Sequence, residues 1–459
     1  MITKELGEAS PTGIVTAGVD VRSEYATLRT VLVHEPGSEI ERLRPGNIAS
    51  LLFEEVPELP RMKEEHRIFV QLMVEQGVEV LRLSDLLSLT LARKNSLRRL
   101  VAASCSPGAN ADLANLILDH YAPEEIKEIL FSGLSAEELY ARTGKLPGGP
   151  NGREAPFVLS PIPNAYFSRD PAAVLNDQVV LGKMHYAARS REPSVLQEAL
   201  RSDPRFAQTP FIYDDDDEAD GRQTIEGGDI LIINRKAIAI GCGERTRAEG
   251  VAELACRLFR AGLAERVYQI NIPAARVYMH LDTLLTILDE GLVVAYSDVM
   301  DEIKVIRRYE RGRQGDTEVT ACGINETRSF KSIFEEEFGH LEVIHTGNKH
   351  RKYAALEQQA RGTNVFAIGP STVIAYEHNP HTNDALAAAG VKVLACPGIE
   401  LVHGLGGPRC MAMPLRRRTD EARGVVRPGG LTAVTTTITQ TAAQSGPENN
   451  LRHTNVGRS

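Results

Sequence analysis

The segment EGGDILIINRKAIAIG (226–241) is the stretch on which the reading of the fold turns. It sets a polar cluster, Glu226 to Asp229, before an apolar run, a short turn at Asn234-Arg235 and a second apolar run. That order predicts a β-hairpin with polar groups at its entrance. FSRDPAAVLNDQVVLG (167–182), HLDTLLTILDEGLVVAY (280–296) and TNVFAIGPSTVIAYEHN (363–379) repeat it, with turns at Asn176-Asp177, Asp289-Glu290-Gly291 and Gly369-Pro370. Helical periodicity fills the intervals, as in ERTRAEGVAELACRLFRAG (244–262) and RSFKSIFEEEFG (328–339). Pseudo-repeats of this kind predict supersecondary units set around an axis, their polar clusters converging at one end. A chance likeness among ordinary α/β units is the other reading.

Outward from the repeats, TLRTVLVHEP (27–36) predicts a strand, 61–76 a helix ending near Gly77, and VEVLRL (78–83) a second strand. Between Asp85 and Gly144 the pattern turns helical, with Pro123 and Ser135 placed as helix starts, and the loop KLPGGPNGREAP (145–156) closes it. The expected division is residues 1–84 as the first part of a catalytic domain, 85–150 as an inserted helical subdomain and 151–418 as the rest of that domain. Residues 419–459 are expected to form a flexible C-terminal tail. The run Asp214–Asp217, with Glu218 and Asp220, reads as a solvated loop, because crowded like charges repel.

Bulk properties narrow the function. With 42% hydrophobic and 25% charged residues, the 459-residue chain has the composition of an ordinary globular protein. No apolar run reaches the roughly 18 residues of a spanning helix, and MITKELGEASPTG has no secretion-signal pattern, so a cytoplasmic protein without a membrane partner is expected. A net charge of −9 argues against nucleic acid as the main partner. Six cysteines, with no CxxC pair and no zinc-ligand spacing, predict reduced thiols and no metal.

Four motifs carry the candidate chemistry. In PNAYFSRDP (163–171), Arg169 and Asp170 open a hairpin; alone they read as a buried ion pair or a turn cap. In IEGGDIL (225–231), Glu226 and Asp229 flank two glycines that permit close backbone approach, and two neighbouring carboxylates require a cation or a shared proton. In MHLDT (279–283), strand alternation would put His280 and Asp282 on one face; a satisfied core histidine is the plainer reading. In HGLGGPRCMAMP (403–414), glycines precede Cys410 at a spacing that is not a phosphate loop, and a structural buried cysteine is the plainer reading there. Together a thiol, an imidazole and several carboxylates make a kit for covalent catalysis on a planar cation, which carboxylates clamp by paired charge-assisted hydrogen bonds.

At these motifs the chain resembles the arginine deiminases, members of a guanidino-group-modifying superfamily. NxxFxRDP, EGGD, GxxERT, HLDT and RCMxMP occur in the family's order over residues 23–417. The resemblance implies an α/β fold, a five-bladed α/β propeller of ββαβ pseudo-repeats with an inserted helical domain. It implies hydrolysis of L-arginine to L-citrulline and ammonia with no cofactor, by a homo-oligomer. Cys410 would be the nucleophile and His280 the general acid and base. Asp170 and Asp282 would grip the guanidinium, and Glu226 would support His280. Arg189 and Arg245 would meet the substrate carboxylate, with Asn164, Phe167, Leu52 and Gly404 lining the pocket. Departures from the family occur at Glu58 and Gln359, where tryptophan is common in a family this Trp-free chain resembles, and at Leu405, where arginine is common. An amidinotransferase, a deiminase of an arginine analogue, a metal-dependent guanidine hydrolase and a non-catalytic binding protein are the competing readings; the metal enzyme would need DxHxD-like groupings, of which this chain has only His280-Leu281-Asp282.

Overall fold

The computed structural model describes residues 18–105, 111–147, 156–213, 223–314 and 318–418; the acidic run at 214–220 and the tail beyond Arg418 lie outside them. The fold is α/β. Each predicted hairpin forms, and each is joined by a strand parallel to its second arm. Ala172–Leu175 and Gln178–Leu181 pair antiparallel, and Phe211–Ile212 adds in parallel. Ile230–Asn234, Ala237–Cys242 and Arg266–Asn271 repeat the pattern, as do Leu285–Asp289, Leu292–Ala295 and Glu342–His345, and Phe366–Gly369, Thr372–Tyr376 and Lys392–Cys396. A parallel return needs a crossover, and helices Glu192–Ser202, Ala248–Ala261, Phe330–Phe338 and Pro380–Ala388 supply it.

A fifth sheet draws on both ends of the described chain. Leu28–Val33 pairs in parallel with Glu79–Arg82 across the helix Leu59–Glu75, and antiparallel with Met413–Arg417. The last strand therefore takes the hairpin position in the first unit and brings Cys410 beside the residues that open the other hairpins.

Two turns sit one residue later than the sequence pattern placed them, at 235–236 and 370–371, and the third narrows to Glu290-Gly291 within its expected span. Asn234 pairs with Ala237, Asp289 with Leu292 and Gly369 with Thr372, each after a register shift that inserts one residue. The first strand of each hairpin is buried on both faces rather than alternating, so a one-residue slip leaves no break in the sequence pattern. The hairpin Val305–Gln314 with Glu318–Thr327 was not legible either, and it pairs with Arg266–Asn271 to extend that sheet to five strands.

The segment read as helical carries helices Leu83–Leu91, Lys94–Cys105, Ala111–His120, Pro123–Ser132 and Ala136–Thr143. Pro123 starts its helix, and Ser135 caps the next: its side chain accepts from the Glu138 N–H at 3.1 Å while Glu138 accepts from the Ser135 N–H at 2.8 Å. These helices share their core with the neighbouring sheet, since Leu87, Leu100 and Leu130 belong to one buried cluster with Ala173, Val180 and Leu196. No helix among the described residues is long and apolar enough to cross a membrane.

Candidate active site

The polar clusters converge as short turns leading into strands: Pro163–Tyr166 and residues 168–170 before Ala172–Leu175, Gly227–Asp229 before Ile230–Asn234, Leu281–Thr283 before Leu285–Asp289. Cys410, His280, Glu226, Asp170 and Asp282 are all buried. Glycine makes the close approach possible at Gly228, where a β-carbon would stand 2.5 Å from His280 Nδ1 and 3.0 Å from Asp170 Oδ1. The close backbone approach that the EGGD glycines permit is therefore realised in the buried turn.

His280 Nε2 meets Glu226 Oε2 at 2.7 Å, and its Nδ1 lies 3.6 Å from Asp170 Oδ1. Burial alone would depress the imidazole pKa, but Asp170, Glu226 and Asp229 outweigh it and raise it to about 9. His280 is therefore an imidazolium at neutral pH. Burial opposes the charge of Glu226, yet Arg245 at 3.3 Å and His280 hold its carboxyl well below the usual range. Its other oxygen accepts from the His185 N–H at 3.0 Å. Asp229 resolves its crowding differently: burial raises its pKa to about 7, and Oδ1 accepts from the Leu281 N–H at 2.8 Å.

The two aspartates are arranged alike. Asp170 Oδ2 accepts from Arg189, and Asp282 Oδ2 accepts from Arg409. The Oδ1 atom of each is buried with no hydrogen-bond partner among the described residues, and so is His280 Nδ1, whose 3.6 Å approach to Asp170 Oδ1 is electrostatic only. Buried acceptors left this way are costly unless something completes them. Cys410 Sγ lies 3.9 Å from Asp282 Oδ2. Burial first, then the charges of Asp282 and Asp170, push its thiol well above the ordinary value. A cation entering between the aspartates would reverse the last two effects and favour the thiolate.

Arg169 is structural: it donates to the carbonyls of Gly227 and Ile230 and pairs with Glu24, so the Arg-Asp pair expected within its own motif does not form. Arg189 gives Nε and Nη2 to Glu192, the latter at 2.7 Å, and Nη1 to Asp170. Arg245 lies over the Tyr186 ring and contacts Glu226 and Met279 Sδ, leaving Nε unpartnered. Asn164 donates to the Leu51 carbonyl at 2.7 Å. Phe167 packs against Gly404 and Gly406, where β-carbons would stand 2.7 and 2.0 Å from its ring. Leu52 and Leu405 both adopt left-handed backbone, φ 67° and 65°, a conformation that bulky side chains resist.

Three residues given no role from the sequence complete the site, one of them, Arg409, inside the RCMxMP motif. Asn364 Oδ1 accepts from the N–H groups of Cys410 and Gly407, and its amide donates to the Asp282 carbonyl at 2.9 Å. Its position in TNV, the polar opening of the last hairpin repeat, was the available signal. Arg409 ties Asp282 to Glu24, and Glu24 carries the counter-charge for Arg169, Arg409 and Arg417. Nothing in VRSEYATL marks Glu24 before the fold is known. Among the described residues no cluster of His, Cys, Asp or Glu has the arrangement of a metal site.

Comparison with known proteins follows the geometry. The family model described as arginine deiminase matches residues 49–417. An arginine deiminase from Listeria innocua is 35% identical over 413 residues, covering 87% of this chain and 98% of the relative. One from Latilactobacillus sakei is 33% identical over 416 residues, covering 88% of this chain and 100% of the relative. Among solved structures, the ternary complex of AgrE with ornithine and NAD+ superposes with a TM-score of 0.50 at 14% identity, covering 85% of this chain and 40% of that one; the likeness concerns the fold alone.

Proposed function

The chain belongs to the arginine deiminase family and is a hydrolase converting L-arginine to L-citrulline and ammonia, and we propose that it does so by covalent catalysis through Cys410. The observation that carries this mechanism is the set of unpartnered buried atoms, Asp170 Oδ1, Asp282 Oδ1 and His280 Nδ1, gathered around the thiol. A guanidinium held flat between two carboxylates satisfies the two aspartate oxygens, orients its carbon toward sulfur and draws the thiol toward thiolate. Attack forms the C–S bond and a tetrahedral adduct. His280, charged at neutral pH, gives its proton to the departing nitrogen, and ammonia leaves an S-alkylthiouronium on Cys410. The histidine, now neutral, takes a proton from water, whose hydroxide adds to the same carbon; the C–S bond then breaks, the hydroxyl proton passes to the leaving thiolate, and citrulline departs. Glu226 keeps the imidazole oriented and its charge stabilised through both halves.

The substrate's far end carries a carboxylate, and Arg245 offers it the free Nε. Arg189 would have to release Glu192 or Asp170 to join. Leu52, Asn164, Phe167 and Gly404 would line the aliphatic stem, their support being their packing beside the turn that carries Asp170. We further read the five similar sheets as blades of a propeller, the first closed by the last strand, and the helices of 85–150 as an inserted subdomain. A cytoplasmic homo-oligomer completes the reading, supported by the hairpin that exposes Val305 and Ile324; light scattering on the purified chain tests its assembly.

The test of function supplies the protein with arginine, agmatine and methylated arginines, with and without a chelator, and quantifies ammonia and the ureido product. Citrulline and ammonia in equal amounts from arginine, undiminished by the chelator, are expected. Ornithine formed only with an added amine would mean amidino transfer instead.

A further inference from the structure

Among the described residues, one guanidinium near the thiol, that of Arg361, has both N–H groups of its carboxylate-binding edge without an acceptor. Arg361 follows the helix Arg351–Gln359 in a turn with φ 66°, a backbone state costly for a residue with a β-carbon. Its carbonyl accepts from the Asn364 N–H at 3.1 Å, and the Asn364 side chain holds the Cys410 N–H. The Arg361 side chain is buried, at 1% exposure. Nη1 donates at 2.9 Å to the carbonyl of Val277, three residues before His280. Nε and Nη2 are buried without an acceptor among the described residues.

Those two N–H groups lie on one edge of the planar guanidinium, the fork that grips a carboxylate through two parallel bonds. In Arg189 the same edge is filled by Glu192, and in Arg245 Nη2 is turned to Met279 Sδ. Arg361 thus spans from the turn that anchors Asn364, and through it the Cys410 N–H, to Val277, whose neighbour Arg276 pairs with Glu54 at 2.9 Å. Burial lowers its pKa only to about 10, so the group stays cationic at neutral pH. A buried cation with an empty fork costs stability until an anion completes it.

We propose that Arg361 is a specificity-determining residue that binds the α-carboxylate of the substrate through Nε and Nη2. The proposal rests on the reading that Cys410 attacks the guanidinium of arginine, and it supplies the fork that Arg189 lacks while Glu192 holds it. It makes arginine, rather than its decarboxylated analogue, the ligand that relieves the buried charge.

The test compares wild-type, Arg361→Gln and Arg361→Lys enzymes in kcat and KM for arginine, in competitive inhibition by agmatine, and in the pH profile of Cys410 alkylation by iodoacetamide. For Arg361→Gln, KM for arginine should rise roughly ten- to a hundredfold, the worth of a charge-assisted bidentate contact. The agmatine inhibition constant and the alkylation profile should stay within twofold of wild type. Arg361→Lys, which keeps the charge and loses the fork, should recover only part of the affinity. A displaced alkylation profile would show that Arg361 serves the thiolate, and an unchanged KM, or equal losses for arginine and agmatine, would likewise overturn the proposal. Failure of the underlying reading looks different: wild-type enzyme would then leave arginine unconverted, or Cys410→Ser would still turn it over.

Discussion

Glu226→Gln isolates the electrostatic device that keeps His280 charged. The substitution preserves the shape of the side chain and its acceptor oxygen while removing a full charge 2.7 Å from Nε2. A hydrogen bond to a charged partner contributes about 1.5–3 kcal/mol, and 1.36 kcal/mol corresponds to one pKa unit. The His280 pKa, raised to about 9 in the wild type against the pull of burial, should therefore fall by roughly one to two units. The direction follows from the raised value: imidazolium is favoured below the folded pKa, so removing a stabilising anion moves its loss to lower pH. Turnover requires the charged form for ammonia release, and the alkaline limb of the kcat profile should move down by the same amount. Asp170 and Asp229 remain, so the pKa should not collapse to that of an unpaired buried histidine. The assay pairs the kcat profile with an NMR titration of His280 in the free enzyme, because the thiol and imidazole titrate as a coupled system. An alkaline limb that stays in place, or moves upward, while the fold is intact would refute the reasoning.

Other outcomes follow from the same geometry. Gly228→Ala should put a methyl against His280 and Asp170, costing about 1–3 kcal/mol in the melting curve and lowering kcat by more than stability alone explains. Glu24→Gln should destabilise the fold by about 3–5 kcal/mol at neutral pH. The Glu24 carboxyl is held at about 2 by Arg409 and Arg169 despite burial, so its stabilisation is full above the ordinary value of 4.5 and lost as pH falls toward 2. Unfolding measured across that window should show the variant and wild-type curves converging. Ser135→Ala should remove one half of the capping box, cost about 1 kcal/mol in chemical denaturation and leave kcat unchanged.

The hairpins were legible because each carries its own turn between two apolar runs within some sixteen residues, and because four copies share one order. The polar residues at their openings stood out for the same reason, and the structure gathers Asp170, Glu226, His280 and Asp282 around Cys410. What the motifs could not give is which partner each charge takes. Asp170 was read beside Arg169, but sheet packing turns Arg169 toward Glu24 and gives Asp170 to Arg189. Glu192, three residues along a helical turn from Arg189, could have flagged the competition for that guanidinium. Arg361 had no signal, since a basic residue after a helix is ordinary and its burial depends on a turn that only the assembled sheets create. The hairpin 305–327 escaped because VIRRYERGRQ places charges on both faces, with Ile306 and Tyr309 its buried anchors.

The central claim is a covalent bond between Cys410 and the guanidinium carbon. Rapid-quench intact-mass analysis of the enzyme mixed with arginine, followed by peptide mapping, tests it directly. A transient adduct with the mass of arginine less ammonia, confined to the Cys410 peptide and formed and lost at rates consistent with turnover, is the predicted result. Steady citrulline production with no adduct at any time point, and with Cys410→Ser still active, would contradict it.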